Sequence, residues 1–196
     1  MRIMILGPPR AGKATQSRML SSALCLSAVS VDALVQDHTA RRTPLGQRAA
    51  RSIDLHEPIP HPTLHAIVLD GLTRAKSRHG WILSGYPHTA QQFSDLRDWC
   101  ANCGQTLDLA IVLGVSERES LRRLCTASKP PTPESAEVEV RSTYTAFNDF
   151  MRPLMASLDS MRILRVVDGE GEVEEVHRRC LAVAVAAVKA RAGATG

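Results

Sequence analysis

The first fifteen residues, MRIMILGPPRAGKAT, constrain the fold more than any other stretch of the chain. Residues 3–6 form a continuous apolar run, which is typical of a central parallel strand covered by helices on both faces. Gly7 and Gly12 enclose a loop, and Lys13 follows the second glycine. Glycine suits such a loop because backbone N–H groups must turn inward around phosphate oxygens, where a Cβ would interfere. The stretch therefore predicts a strand, a phosphate-binding loop and a helix whose positive end faces the anion.

The loop departs from the strict pattern G-x-x-x-x-G-K-[ST] at one position. Ala14 stands where the hydroxyl residue should be, and Thr15 comes one residue later. From the residues alone, a turn before an amphipathic helix with a surface lysine is an alternative interpretation. The variant G-x-P-x-x-G-K-x-T, however, resembles the loop of nucleoside monophosphate kinases, and of adenylate kinases above all, which have glycines where this chain has Arg10 and Ala14.

The resemblance implies a nucleotide site at this loop, with ATP as the expected ligand and Lys13 as the one catalytic residue of the family pattern that is kept. Mg²⁺ would be held weakly if present, because Ala14 has no hydroxyl and Ser84 replaces the aspartate that helps to hold the magnesium hydration shell in the family. No metal ligand is predicted. The nucleotide-binding residues implied by the resemblance are Gly7, Pro8, Pro9, Arg10, Ala11, Gly12, Lys13, Ala14, Thr15 and, from a later helix, Arg123.

Composition limits the remaining function classes. The chain has 196 residues, 44% of them hydrophobic, which is enough for one substantial core and predicts one domain. Its net charge of +4 suits a small anionic ligand, but with only three Phe, two Trp and two Tyr the stacking surfaces that nucleic-acid binding needs are scarce. No signal peptide or membrane-length apolar run is evident. We expect a soluble cytoplasmic protein without membrane or nucleic-acid partners. A cytoskeletal or other assembly-bound location is included in this expectation.

The five cysteines do not predict a metal site or a disulfide framework. Cys100 and Cys103 have the spacing of a zinc-binding pair, but no second Cys/His pair lies at the distance that four-ligand zinc sites need. The alternative is that they are two small residues near the end of a helix closed by Gly104. We expect reduced thiols.

Apolar strands alternate with helical patterns along the whole chain. Strands are predicted at residues 3–6, 28–31, 109–113 and 162–167 and from residue 81, and helices at residues 13–24, from 32, 63–78, from 116, and 134–160 with an interruption near Pro153. This order predicts an α/β fold, a three-layer doubly wound parallel sheet of five strands with helices on both faces. By resemblance the fold is of the P-loop type, a single adenylate-kinase-like domain over residues 1–196 with monophosphate-binding helices at about 30–78 and a short lid at about 126–134.

The second landmark, residues 30–36, resembles the family signature Ser-Thr-Gly-Asp-x-Leu-Arg that wraps the monophosphate substrate. Ser30 is kept, whereas Val31 replaces the threonine and Gln36 replaces the arginine that clamps the phosphate. A guanidinium forms a bidentate, charge-assisted pair with phosphate that a neutral amide cannot reproduce. The resemblance therefore implies a weak monophosphate site.

The third landmark, residues 80–92, resembles the family segment Gly-Phe-x-x-Asp-Gly-Phe-Pro-Arg-x-x-x-Gln. Gly85 and Gln92 are kept, and His88 replaces an arginine on the monophosphate. Gln92 occupies the position that reads the adenine edge, although a solvated helix residue is an equal alternative. An unperturbed His88 would become cationic below about pH 6.5 and strengthen monophosphate binding there. The weak monophosphate site then consists of Ser30, Gln36, Gly85, His88 and Gln92.

The last family positions are cationic in the family and mostly neutral here. Arg123 matches the arginine that stacks on the ATP base, but Ala127 occupies the second position of that helix. Thr132 and Thr143 fall near the two lid arginines, and Arg141 lies two residues off, on another helix face.

These losses predict an adenylate-kinase-like nucleotide-binding protein with weak or lost phosphoryl transfer, because one arginine acting on the transferring group is worth about 10³ to 10⁵ in rate. Such a protein could be a structural or regulatory component of a larger assembly, with protein partners besides the nucleotide. The alternative is an active nucleoside monophosphate kinase, converting ATP and AMP to two ADP, whose substitute cations are Arg10, Arg122, Arg141 and His88.

Overall fold

The computed structural model describes residues 1–75, 79–126 and 132–193. Within these ranges one sheet has the strand order β2-β3-β1-β4-β5, and every neighbouring pair of strands is parallel. The doubly wound five-stranded sheet predicted from the sequence is confirmed. The strands are β1 (Arg2–Leu6), β2 (Ser27–Ser30), β3 (Trp81–Ser84), β4 (Leu109–Gly114) and β5 (Leu164–Asp168).

Helices join successive strands and follow the last one. Three of them, α2 to α4, stand between β2 and β3, where the helical insert was predicted, and the longest precedes β5. In the described ranges the helices are α1 (Lys13–Leu24), α2 (Val31–Ala40), α3 (Pro44–Asp54), α4 (His61–Thr73), α5 (Ala90–Asn102), α6 (Glu117–Cys125), α7 (Pro133–Ser160) and α8 (Val173–Gly193).

The hydrophobic core consists of two layers, one on each face of the sheet. Successive residues of a strand point to opposite faces, so Met4 and Leu6 join a cluster with side chains of α4, α5 and α7. Ile3 and Ile5 face the other way, into a cluster with side chains of α1 and α8. All four side chains are buried, each contributing about 1.5–3 kcal/mol to folding. The loop that follows β1 is thus anchored to the most enclosed strand.

Several strand boundaries differ from the prediction by one or two residues, and the contacts of a polar residue and a left-handed residue explain two of these differences. The second strand ends at Ser30, whose Oγ accepts a hydrogen bond from the N–H of Ala33, so that Val31 begins α2. The fifth strand begins at Leu164, since Arg162 has a left-handed φ of 60° and its N–H donates to the carbonyl of Asp159.

The predicted interruption of the long helix near Pro153 is wrong. Helix α7 continues through this proline, although proline removes one helical hydrogen bond. Buried side chains on both sides of it, Met151, Leu154 and Leu158, pack into the same core cluster and hold the two halves in one helix.

A buried histidine joins the three helices of the insert. His38 on α2 lies with Nδ1 2.8 Å from Oγ1 of Thr43, the N-cap of α3, and with Nε2 3.1 Å from Oδ2 of Asp70 on α4. Arg74 pairs with the same carboxylate at 2.6 Å. Helix α4 ends at Thr73, earlier than predicted, and the last predicted residues, 76–78, lie outside the described residues.

All five cysteines are free thiols, as expected. Cys100 and Cys180 are buried, and burial raises the pKa of each thiol to about 11. In the part of the chain that the structure describes, no group of three or more His, Cys, Asp and Glu side chains could hold a metal ion. No described helix is long and apolar enough to cross a membrane.

Candidate nucleotide site

The loop after β1 has the backbone shape that the glycine pattern predicts. Gly7 and Gly12 adopt φ angles of 148° and 88°, and a Cβ on Gly7 would lie 2.9 Å from the carbonyl oxygen of Leu113 on β4. Arg10 has a left-handed φ of 63°, a conformation that costs an L-residue about 1–2 kcal/mol. Glycine adopts this conformation without that penalty, as in the pattern that the loop resembles, and here the loop has this shape with an arginine instead.

Helix α6 supports the loop through two side chains. Oγ of the buried Ser120 donates to the carbonyl of Pro9 at 3.2 Å. Arg123 donates from Nη1 to the carbonyl of Arg10 at 3.1 Å and from Nη2 to the carbonyl of Gly169 at 2.8 Å. Arg123 therefore lies beside the phosphate loop, and its guanidinium hydrogen bonds connect the loop to the turn after β5.

Glu119 holds the Arg123 guanidinium in this position. Its Oε1 accepts from Nε of Arg123 at 2.7 Å, and its carboxylate also accepts from Nε and Nη2 of Arg122 at 2.6 and 2.7 Å. The hydrogen bond from Arg122, together with that from Arg123, lowers the pKa of Glu119 to about 2. The serine and glutamate at the start of this helix predicted a capped helix, which begins after the N-cap Ser116, but they did not predict that Glu119 and Ser120 support the loop.

Lys13 is turned towards its own loop. Nζ donates to the carbonyls of Gly7 at 2.9 Å and Pro8 at 2.8 Å. Burial lowers the pKa of Lys13, and the nearby Asp32 opposes that shift. Helix α1 has Gly12 as its N-cap and no side chain that caps its first turn, so its N-terminal N–H groups suit an anion.

The strand ends place three further predicted residues beside the loop. Ser84 is buried at the end of β3, paired in register with Ile5 on one side and Ser30 on the other. A Cβ on Gly85 would lie 3.3 Å from Cβ of Val31. Ser30 uses its hydroxyl as the N-cap of α2.

Gln36 is the predicted monophosphate residue that stands apart. It is exposed on α2 and is not among the described residues that line the cleft at the phosphate loop. Of the five residues predicted for the monophosphate site, His88 is the one that lines the cleft at the phosphate loop among the described residues.

Gln92 holds the turn before α5 through hydrogen bonds, which neither interpretation of the sequence predicted. The residue is only 8% exposed, so the reading as a solvated helix residue is wrong. Its Oε1 accepts from the backbone N–H of His88 at 2.6 Å, its N–H donates to Oγ1 of Thr89, and its carbonyl accepts from the hydroxyl of Tyr86. Nδ1 of His65 lies 2.7 Å from the same hydroxyl. These contacts fix the turn that presents His88.

His88 is exposed at the mouth of the site. Desolvation by the protein atoms around its ring lowers its pKa, the ammonium of Lys13 lowers it further, and Asp32 opposes both. The gain of monophosphate binding on protonation of His88 stays a prediction, and the lowered pKa moves it to pH values below 6.5.

A cleft of about 380 Å³ opens above the phosphate loop. Its polar end contains Lys13 and His88, and its other end is an apolar part of α7. Thr143, near a family lid arginine, lines this cleft, whereas Arg141 lies between α6 and α7 with Glu117 and Glu137. The described residues that line the cleft are Gly7, Pro9, Lys13, His88, Thr89, Thr143, Ala146, Phe147, Phe150 and Met151.

The predicted short lid lies largely outside the described residues, and so does Ala127. Thr132, near the second lid arginine, is the N-cap of α7, where its Oγ1 accepts from the N–H of Ser135 at 3.4 Å.

Comparison with known proteins gives matches over most of the chain. The sequence model of the adenylate kinase family matches residues 5–165. The adenylate kinase of Thermobifida fusca is 31% identical over 193 residues, covering 98% of this chain and 100% of the relative. That of Mycobacterium sp. (strain MCS) is 34% identical over 182 residues, covering 92% and 97%. Adenylate kinase 2 of Synechocystis is 31% identical over 183 residues, covering 93% and 99%.

Proposed function

The chain belongs to the adenylate kinase family, and from that premise we propose that it binds ATP at the phosphate loop but transfers phosphoryl groups feebly or not at all. One observation carries the proposal. Among the described residues that line the cleft, Lys13 is the one Lys, Arg, Asp or Glu. The loop is equipped to hold phosphate, while the cleft lacks the charges that would speed its transfer.

ATP binding relies on parts of the site that are made of backbone. The loop N–H groups and the uncapped start of α1 would surround the phosphates, and Lys13 would leave the carbonyls of Gly7 and Pro8 to reach the β- and γ-phosphates. Mg²⁺ would neutralise phosphate charge when bound, but the exposed methyl of Ala14 and the neutral, buried Ser84 give it little support.

Transfer relies on cations that the cleft does not offer. Gln36 and His88 stand where the family pattern has arginines, and Thr143 falls near such a position. Gln36 and Thr143 carry no charge, and the lowered pKa of His88 favours its neutral form at neutral pH. Of the proposed substitutes, Arg122 pairs with Glu119 and Arg141 lies at the α6–α7 crossing. Because each arginine on the transferring group is worth about 10³ to 10⁵ in rate, the sum of these changes favours a nearly inactive enzyme.

A retained fold with a retained phosphate loop suits a structural or regulatory protein of an assembly, in which the nucleotide holds the loop in one state and a protein partner recognises it. The competing function is that of an active adenylate kinase, the name that the similar proteins carry. It requires cations to reach the transferring group by a movement of the chain.

Calorimetry and a coupled assay separate these functions. Lys13→Ala should abolish ATP binding, whereas Lys189→Ala, on the exposed surface of α8, should leave it unchanged. ATP, Mg²⁺ and each nucleoside monophosphate should give almost no product in an assay where the Thermobifida fusca adenylate kinase serves as the positive control. Unchanged ATP affinity in Lys13→Ala would show that ATP does not bind at the phosphate loop. Turnover comparable to that of the control would establish the active kinase instead.

A further inference from the structure

One face of α7 changes its surroundings along its length. Apolar side chains recur on this face at spacings of three and four residues, as in a helix with one buried stripe. In the C-terminal half, Leu154 and Leu158 are completely buried in the core. In the preceding turns, Phe147 and Phe150 line the cleft above the phosphate loop, and Phe150 is 55% exposed. The stripe therefore extends beyond the core and forms the far wall of the cleft.

This wall offers little to a polar ligand. Thr143 carries the one hydroxyl of α7 that lines the cleft among the described residues, and its Oγ1 lies 2.6 Å from the carbonyl of Glu139 in its own helix. A ribose or a second phosphate placed against this wall would lose water without gaining hydrogen bonds, which is costly. An apolar group placed there would instead cover Phe147 and Phe150.

The opposite wall has the contrary chemistry. Lys13 and the loop backbone provide a positive charge and N–H groups, and no acidic side chain is among the described residues that line the cleft. The volume of about 380 Å³ lies near the lower end of the range for small-molecule sites. The cleft thus has one end for an anion and one end for a ring-sized apolar group.

Building on the proposed use of the loop as a phosphate site, we propose that the cleft binds a phosphate ester of a hydrophobic alcohol, with its phosphate at the loop and Lys13 and its apolar group against Phe147 and Phe150. The apolar group excludes water from the cleft, and this exclusion strengthens the attraction between the phosphate and Lys13. The ligand class is therefore distinct from a nucleoside monophosphate, whose ribose would have to face this wall.

Phenyl phosphate and inorganic phosphate are suitable probes for calorimetry or NMR titration. We expect phenyl phosphate to bind about tenfold more tightly than inorganic phosphate, since burial of the ring adds to the same anion contact. Phe150→Ser should remove most of this preference and leave inorganic phosphate unaffected. Val138→Ser is the matched control, because Val138 is a 70% exposed apolar residue of the same helix outside the cleft.

The outcomes separate this inference from the proposed function. Equal affinities for the two probes, no binding of phenyl phosphate, or an unchanged preference in Phe150→Ser would overturn the apolar subsite. If Lys13→Ala still binds both probes as the parent does, the anion site itself fails and the proposed function fails with it. If Lys13→Ala weakens the binding of both probes but the parent does not prefer phenyl phosphate, the phosphate site at the loop is supported. Only the proposed apolar subsite is then refuted.

Discussion

The phosphate loop and the segment around His88 differ in how much of the family pattern they keep in this member of the family. The loop keeps its left-handed turns, and α6 supports it through Ser120 and Arg123, although Arg10 and Ala14 stand where glycines are expected. The segment around His88 keeps its turn as well, held by the buried Gln92. What it lacks is the charge that would face a monophosphate.

The difference teaches which kind of site survives substitution. A site made of backbone N–H groups depends on the shape of the chain, which many contacts determine together. A site made of guanidinium groups depends on single side chains, and one substitution removes each of them. Here the loop backbone has the shape that the glycine pattern predicts, and neutral groups stand at most positions where the family pattern has guanidinium groups.

The largest effect is expected from a combined variant that restores the family charges, which would remove the difference between the loop and the segment around His88. Restoring the family charges and loop glycines together should raise ATP–AMP transfer by at least about 10³-fold, because the arginines act as a unit on the transferring group. A coupled assay measures this rate. The combined variant carries Gln36→Arg, Ser84→Asp, His88→Arg, Ala127→Arg, Thr132→Arg and Thr143→Arg with Arg10→Gly and Ala14→Gly.

Single restorations serve as the controls and should have almost no effect, since one cation does not complete the cage. A parent as fast as the combined variant would contradict the loss of chemistry. A folded combined variant without activity would mean that these positions do not correspond to those of the family.

The second effect tests the support of the loop with a matched pair of arginines. Both Arg122 and Arg123 pair with Glu119, but Arg122 is 63% exposed and Arg123 is 21% exposed and also reaches two backbone carbonyls. Arg123→Ala should lower the free energy of unfolding by about 2 kcal/mol, because it leaves those carbonyls without their donor. Arg122→Ala should leave it within measurement error. Denaturant titration gives both values, and equal effects of the two substitutions would remove Arg123 as the support.

A smaller effect concerns the strain in the loop. Arg10→Gly should raise the free energy of unfolding by about 0.5–1 kcal/mol, since glycine adopts the left-handed conformation without penalty but loses more entropy on folding. Arg10→Ala keeps the Cβ and should give no gain. An equal gain in both variants would assign the effect to the arginine side chain instead of the backbone.

The smallest effect lies at His88 and depends on pH. Since its pKa is lowered in the folded state, the unfolded chain takes up the proton first as pH falls, and stability that is present above the ordinary value of 6.5 is lost below it. His88→Ala should therefore lose less stability than the parent as the pH falls through 6.5 and below. Val138→Ser, which removes no titratable group and lies outside the cleft, is the control and should behave as the parent. An unchanged pH dependence in His88→Ala would contradict the shift.

Much of this architecture could be predicted because short patterns of neighbouring residues determine it. The apolar run of residues 3–6 and the glycines around the loop specify a buried strand and its turn, and both are in the structure. The contacts of Arg123 with the carbonyls of Arg10 and Gly169 could not be predicted, because they join residues far apart in the chain. The continuous α7 likewise depends on packing that overrides the local preference of Pro153.

The apolar wall of the cleft illustrates the same limit at the site. The spacing of Phe147, Phe150 and Leu154 indicates one helix face but not where that face leaves the core. Only the position of α7 over the phosphate loop divides the stripe into a core part and a cleft part. The residues that depart from the family pattern could be identified from the sequence, whereas the apolar wall of the cleft could be identified only from the structure.

The central position of β1 also affects how the protein is made. Ile3 pairs with Ile82 on one side and with Leu109 on the other, so both neighbours of the first strand are synthesised long after it. At the usual pace of translation, on the order of ten seconds pass before β4 leaves the ribosome. Throughout that interval the apolar strand remains without its partners and is open to association with other chains. Yield in the cell will therefore respond to chaperone supply and to codon usage upstream of residue 109.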